Sequence, residues 1–180
     1  MQADRATDPV VTARLVLAPI GLGDVDDLGR LYGDPLVALW TGPWTPSTVE
    51  SWAADMAQRW TTDGVGKWMA RARSDASLIG RGGFSLIELD GERVLELGWV
   101  VRDGHTGLGY ATELGRAALS WAARHVPDVP VVAFTEVHNH ASRAVAERLG
   151  MQSVGILQRP GLIEGRSGIH PEAPFALYRA

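Results

Sequence analysis

A glycine-punctuated turn, Thr106-Gly107-Leu108-Gly109-Tyr110-Ala111-Thr112, joins an extended segment to a long amphipathic helix, and no other stretch restricts the architecture as much. Three extended runs precede it: Lys67 to Arg73, Leu78 to Leu89 and Val94 to Val101. Polar residues and the Asp90-Gly91 turn pair separate them, the pattern of an antiparallel meander. Beyond the turn, Leu108, Ala111, Leu114, Ala118, Trp121 and Ala122 recur at helical spacing until Pro127 ends the run, and Val131 to Val137 is again extended. A strand, a helix and a further strand in that order require a parallel crossover. At such a strand-to-helix turn, free backbone N–H groups and the helix dipole favour an anion, and glycine leaves the approach open. A tight structural turn is the alternative reading of the same residues.

The other elements follow from periodicity. Arg14 to Ile20 alternates as a first strand, and Asp24 caps a helix to Tyr32 with Val25, Leu28 and Leu31 on one face. Gly33 and Pro35 are expected to stop it. Ser47 and Glu50 form a capping-box pattern for a helix to Trp60, and Asn139 to Leu149 is a helix with Gly150 beyond its end. Pro174 to Tyr178 is the final strand. No repeat or long linker divides the chain, which predicts a tail over 1–13 and a single domain over 14–180. The expected fold class is α/β, with a mixed, mostly antiparallel central sheet of about seven strands and about four helices.

Composition removes several chemistries. The chain has no cysteine, which excludes disulfides, thiolate nucleophiles and Cys-based zinc sites. Lys and Arg number 17 against 21 Asp and Glu, so no basic surplus points to a nucleic acid or an anionic membrane. Met1 to Pro9 lacks an apolar core and carries Asp4 and Asp8, and no apolar run is long enough for a membrane span, which makes a cytoplasmic location the expectation. His138 and His140 bracket a helix cap with no third ligand near them, so no metal is expected.

Neither nucleotide loop common in α/β proteins fits the glycine turn. Thr112 stands where a dinucleotide fingerprint needs Gly or Ala, and no Gly-Lys-Ser/Thr follows for a P-loop. Gly109 and Ala111 instead match the last two fixed positions of the Gln/Arg-x-x-Gly-x-Gly/Ala loop of the GNAT acetyltransferase superfamily, with Thr106 at the Gln/Arg position. The continuation Gly-Tyr-Ala-Thr-Glu at 109–113 resembles its RimJ/RimL-type branch, which acetylates protein N-termini and other amines. A second block is similar to the same branch: Phe134-Thr135, Asn139, Ser142, Arg143 and Arg148-Leu149-Gly150-Met151. The resemblance runs over residues 14–180. It implies the acyl-CoA N-acyltransferase fold, acetyl-CoA as acyl donor, and direct attack by a primary amine in a ternary complex, the amine being a protein N-terminus or a small molecule. A longer acyl-CoA, or a non-catalytic CoA-binding domain, is the alternative.

The resemblance also implies a set of site residues. It lays the pantetheine arm along Trp99, Val100 and Val101 as an added strand, and the pyrophosphate on Thr106, Gly107, Leu108, Gly109, Tyr110, Ala111 and Thr112. Asn139, Ser142 and Arg143 are further CoA contacts, with Ser142 also placed near the leaving sulfur. The same residues read equally as a helix cap, a second capping hydroxyl and an exposed helical arginine. Glu96 shares a strand face with Val94, Gly98 and Val100, and the resemblance makes it the proton acceptor, whereas a solvated carboxylate paired with Arg93 is the plain reading. Trp40, Trp44 and Phe84 are placed at the acceptor and acyl side of the cleft, while Trp52 is assigned to the core. Many members of the family protonate the thiolate with a Tyr of the last helix. Asn139 to Leu149 has none, so solvent, or Ser142 through water, is the expected substitute. His170 resembles part of a tail motif of the branch, and a monomer or homodimer is expected.

Overall fold

The computed structural model describes residues 6–180. The alternating segments form β1 (Val10–Val11), β2 (Leu15–Pro19), β3 (Lys67–Ala72), β4 (Leu78–Leu89), β5 (Glu92–Val101), β6 (Val131–Glu136), β7 (Gln152–Gly161) and β8 (His170–Arg179). They make one sheet in the order β1-β2-β3-β4-β5-β6-β8-β7. Every pairing is antiparallel except β5 with β6, the parallel pair on either side of the glycine turn. The helices are α1 (Val25–Tyr32), α2 (Pro35–Thr41), α3 (Pro46–Thr62), α4 (Tyr110–His125) and α5 (His140–Arg148), with short 3₁₀ turns at Leu22–Asp24 and Asp103–His105.

The mixed, mostly antiparallel sheet agrees with the sequence reading, and the described residues add elements that it lacked. The first helix ends at Tyr32 as expected, but Pro35 also begins another: Asp34 accepts from the N–H groups of Leu36 at 3.1 Å and Val37 at 3.4 Å, with Pro35 in the first turn, where its missing N–H costs nothing. β7 is an edge strand whose Val154 and Ile156 are exposed, so it carries no buried alternation to betray it. Val10 and Val11, inside the expected tail, pair with Leu17 and Val16. Residues 1–5 of that tail lie outside the described residues. α3 starts at Pro46, capped by Thr45 rather than Ser47, and α4 starts at Tyr110 because Gly107 and Gly109 adopt φ of +72° and +81°.

Two faces of the sheet are buried for different ends. Leu95 and Leu97 of β5, Trp68 of β3 and Phe84 of β4 pack against Leu114, Ala118 and Trp121 of α4. Trp68 and Trp121 meet edge to face at 5.4 Å, a contact worth about 0.5–1.5 kcal/mol beyond the area it buries. Gly82 permits this packing, since a Cβ there would stand 2.4 Å from a Leu114 methyl. On the opposite face, Ile20, Met69 and Leu78 lie beneath Leu28, Leu31, Val49 and Met56 of α1 and α3. A smaller cluster, including Ala146, Met151 and Tyr178, fixes α5 to the β6–β8 end. No helix among the described residues is long and apolar enough to cross a membrane.

The functional geometry arises where β5 and β6 part. Their ladder consists of Leu95↔Val131 and Glu96↔Val132, after which β6 pairs only with β8 while β5 continues along β4 to Val101. The Leu95 N–H reaches toward β6, to the Pro130 carbonyl at 2.8 Å, and strand alternation aims the backbone groups of Trp99 and Val101 the same way. Those groups have no ladder partner among the described residues.

Candidate active site

A cleft of about 550 Å³ fills the wedge between the diverging strands. Trp99, Val100 and Val101 form one wall. The turn into α4 supplies Thr106, Gly107, Gly109, Tyr110, Ala111 and Thr112, the start of α5 supplies Asn139 and Ser142, and α2 supplies Leu36, Val37, Trp40 and Thr41. Thus most of the residues singled out in the sequence, from four separate segments, come together around one cavity.

The turn has the properties an anion site needs. Gly109 occupies the cap position of α4 in the left-handed region, and no side chain caps the helix. The first N–H groups of α4 are therefore available at the cleft, with the positive end of the dipole behind them. A phosphate group fits this cradle. Arg14 fastens the turn from outside: Nη1 donates to the Leu108 carbonyl at 2.9 Å, Nε donates to Glu113 Oε2 at 2.7 Å, and the guanidinium lies 4.4 Å from the Tyr110 ring centre. Glu113 also accepts from Thr12 Oγ1 at 2.6 Å and from the Arg14 N–H at 2.8 Å. Burial pushes the Glu113 carboxyl up, but these donors together hold it below its ordinary value. Leu108 is exposed and faces away from the cavity, so only its carbonyl takes part in the turn.

The α2 wall is tied to the same turn. Asp34, capping α2 through Oδ1, accepts from the Asp103 N–H through Oδ2 at 3.3 Å and lies 3.6 Å from Arg102 Nε. Across the cleft, the ring of His138, just before α5, lies 5.3 Å from that of Trp40. Asn139 is buried, and its Oδ1 accepts from the Ser142 N–H at 3.0 Å, so the cap orients the first turn of α5 with Ser142 on the cavity.

Four expected site residues do not line this wedge. Phe84 is fully buried between Trp68 and Trp121 on the α4 face, so it bounds no acyl cleft. Arg143 donates to Tyr178 Oη at 3.1 Å and to the Val137 carbonyl at 3.0 Å, and its guanidinium is thereby turned from the cavity. Trp44 stacks on Tyr32 at 3.7 Å and meets the edge of Trp52, adjoining the α1–α3 core rather than the wedge. Glu96 faces the α1–α3 side and pairs not with Arg93 but with Lys67, whose Nζ donates to Oε2 at 2.9 Å. Lys67 also donates to the Gly83 carbonyl at 2.9 Å. Burial pushes the Lys67 ammonium below its ordinary value, and the charge of Glu96 opposes that push.

Other lining residues escaped the sequence reading. Leu36, Val37 and Thr41 belong to the helix hidden behind Pro35, His105 immediately precedes the glycine turn, and Arg148, though part of the second motif block, carried no site role in the sequence. No group of three potential ligands is arranged for a metal among the described residues.

Residues 14–152 match the family model described as an acetyltransferase (GNAT) domain. An acetyltransferase from Agrobacterium tumefaciens str. C58 superposes with a TM-score of 0.75 at 27% identity, over 96% of this chain and 94% of its own. The ribosomal-protein-S5-alanine acetyltransferase of Vibrio fischeri gives a TM-score of 0.79 at 13% identity over 96% of each chain. RimL, a ribosomal L7/L12 alpha-N-protein acetyltransferase solved with coenzyme A, gives 0.79 at 15% identity over 96% of this chain and 97% of its own. In sequence, the uncharacterized protein YkkB of Bacillus subtilis (strain 168) is 29% identical over 83 residues, 46% of this chain. That match spans about half of YkkB's length, 48%.

Proposed function

The chain belongs to the GNAT acetyltransferase family, and from that premise we propose that it is a cytoplasmic, acetyl-CoA-dependent N-acetyltransferase acting on a primary amine, as a monomer or homodimer. One observation carries the reading: the uncapped N-terminus of α4 and the unpaired edge of β5 face the same cleft. The N–H groups of Tyr110, Ala111 and Thr112 would hold the pyrophosphate, and the backbone of Trp99 and Val101 the pantetheine amides. Asn139 would set Ser142 beside the sulfur.

Acetyl-CoA supplies an acyl group already activated as a thioester, so the chain needs neither a nucleophile of its own nor a metal. Its residues must orient the partners and move a proton. Glu96, outside the wedge but on the face of β5 that carries Val100 into its wall, takes the proton from the acceptor ammonium, directly or through water. The neutral nitrogen then forms the C–N bond as the C–S bond breaks, the electron pair leaving on sulfur; the acylated nitrogen gives its second proton to water, and solvent, or Ser142 through water, supplies a proton to the thiolate. Neutralising a lysine-like amine at pH 7 costs about 4.6 kcal/mol against about 1.2 for an α-amine, which makes a protein N-terminus the easier acceptor. RimL, named for α-N-acetylation, shares the fold and supports the same choice.

The test is turnover of acetyl-CoA with a panel of peptides with free N-termini, polyamines, amino acids and aminoglycosides, followed by release of free thiol. Acceptor-dependent release is expected, greatest for α-amines. Saturable CoA binding without turnover on any amine would instead identify a CoA-binding domain.

A further inference from the structure

The ion pair between β3 and β5 does more than neutralise two charges. Lys67 and Glu96 lie on the sheet face turned toward α1–α3, with side chains 5% and 17% exposed. Lys67 reaches across β4 to Glu96, and the Gly83 carbonyl between them holds its ammonium in place. This contact engages Glu96 Oε2 only. Oε1 has no donor among the described residues, and it stands 2.9 Å from where a Cβ on Gly98 would be, with Lys67 Nζ 3.2 Å from that point. Gly98 therefore keeps open the space beside Oε1, on the strand face that continues to Val100 in the cleft wall. Any side chain at 98 would displace the carboxylate or cover it.

We infer that Lys67 is a positioning residue for Glu96: it holds Oε2 so that Oε1 is the oxygen offered to the acceptor amine, and Gly98 is the opening through which that oxygen is reached. The inference rests on Glu96 being the proton acceptor. The proton passes from the acceptor ammonium to Oε1, which leaves the Lys67 ammonium without its counterion until Oε1 hands the proton on to water. Arg81 of β4 and Arg59 of α3 are the other charges acting on the Lys67 ammonium, and both disfavour its protonated form. Glu96 is the charge that favours the Lys67 ammonium against burial and these neighbours.

The experiment measures kcat/KM from pH 6 to 9.5 for wild type, Lys67→Met, Glu96→Gln and the double variant, with the CoA-induced rise in thermal midpoint as a binding control. Lys67→Met is expected to lower kcat/KM about tenfold or more near neutrality, with the loss in kcat and the KM for acetyl-CoA within about twofold of wild type. In the Glu96→Gln background, Lys67→Met should change kcat/KM by less than about threefold. Losses that multiply in the double variant, or a loss confined to KM, overturn the role of Lys67 while leaving Glu96 as the base. A Glu96→Gln enzyme within about threefold of wild type overturns the base and the inference with it. Should Lys67→Met not fold, Gly98→Ala decides: lost kcat/KM with an intact CoA response supports the opening, and wild-type kcat/KM refutes it.

Discussion

Arg14 and Glu113 join the first long strand to the start of α4: the Arg14 side chain donates to one carboxylate oxygen at 2.7 Å and its backbone N–H to the other at 2.8 Å. The pair therefore sets where the anion-binding turn begins relative to the sheet. Because the folded carboxyl is held below its ordinary value, its stabilisation is fully present above the unfolded pKa, about 4.3, and is lost as pH falls through the lower folded value. Glu113→Gln should reduce stability by about 1–3 kcal/mol at pH 7, and denaturant titrations should show that difference shrinking below about pH 4.3.

Gly109→Val should abolish the rise in thermal midpoint produced by CoA while the protein stays folded. Its Cβ meets nothing closer than Arg14 Nη2 at 3.5 Å, so packing permits the change. The cost is about 1–2 kcal/mol of left-handed backbone strain, which works against the turn conformation that leaves the α4 N–H groups open. A CoA-dependent shift equal to that of wild type would remove the turn from the binding site.

Asp34→Ala should act at a distance from the chemistry. It removes the cap of α2 and the link to Asp103 and Arg102, at about 1–2 kcal/mol for the cap alone. Since α2 is a cleft wall, the KM for acetyl-CoA should rise about three- to tenfold with kcat within about twofold. Steady-state kinetics with saturating acceptor separates the two.

Phe84→Ala should behave as a core truncation. A cost of about 3–5 kcal/mol is expected from its burial between Trp68 and Trp121. At a temperature where the variant is folded, KM for the acceptor should be unchanged, and acyl-chain preference should not widen. A gain of activity with longer acyl-CoA would return Phe84 to the cleft.

The wedge was legible in outline because its walls are local motifs. The glycine turn, the capped start of α5 and the strand at Trp99 each announce themselves within a few residues. Pro35 misled because proline both ends helices and begins them, and only the Asp34 cap distinguishes the cases. Phe84 and Arg143 misled for another reason: strand alternation and helix position restrict which face a residue takes, but not which neighbour claims its side chain. Lys67 shows the limit most clearly. Its place opposite Glu96 depends on the registers Lys67↔Gly83 and Gly83↔Gly98, two pairings that no single segment encodes.

The short ladder between β5 and β6 divides the sheet mechanically. One leaf runs from β1 to β5 and the other from β6 to β7, and two residue pairs join them. A ligand lying along Trp99 and Val101 while touching α5 is then a splint, since it gives the first leaf a backbone partner and spans to the second. In the free protein the amides of Trp99 and Val101 exchange with solvent at rates set by the open edge. With the splint in place they exchange only when it leaves, so the donor's residence time is written into the hydrogen exchange of two residues.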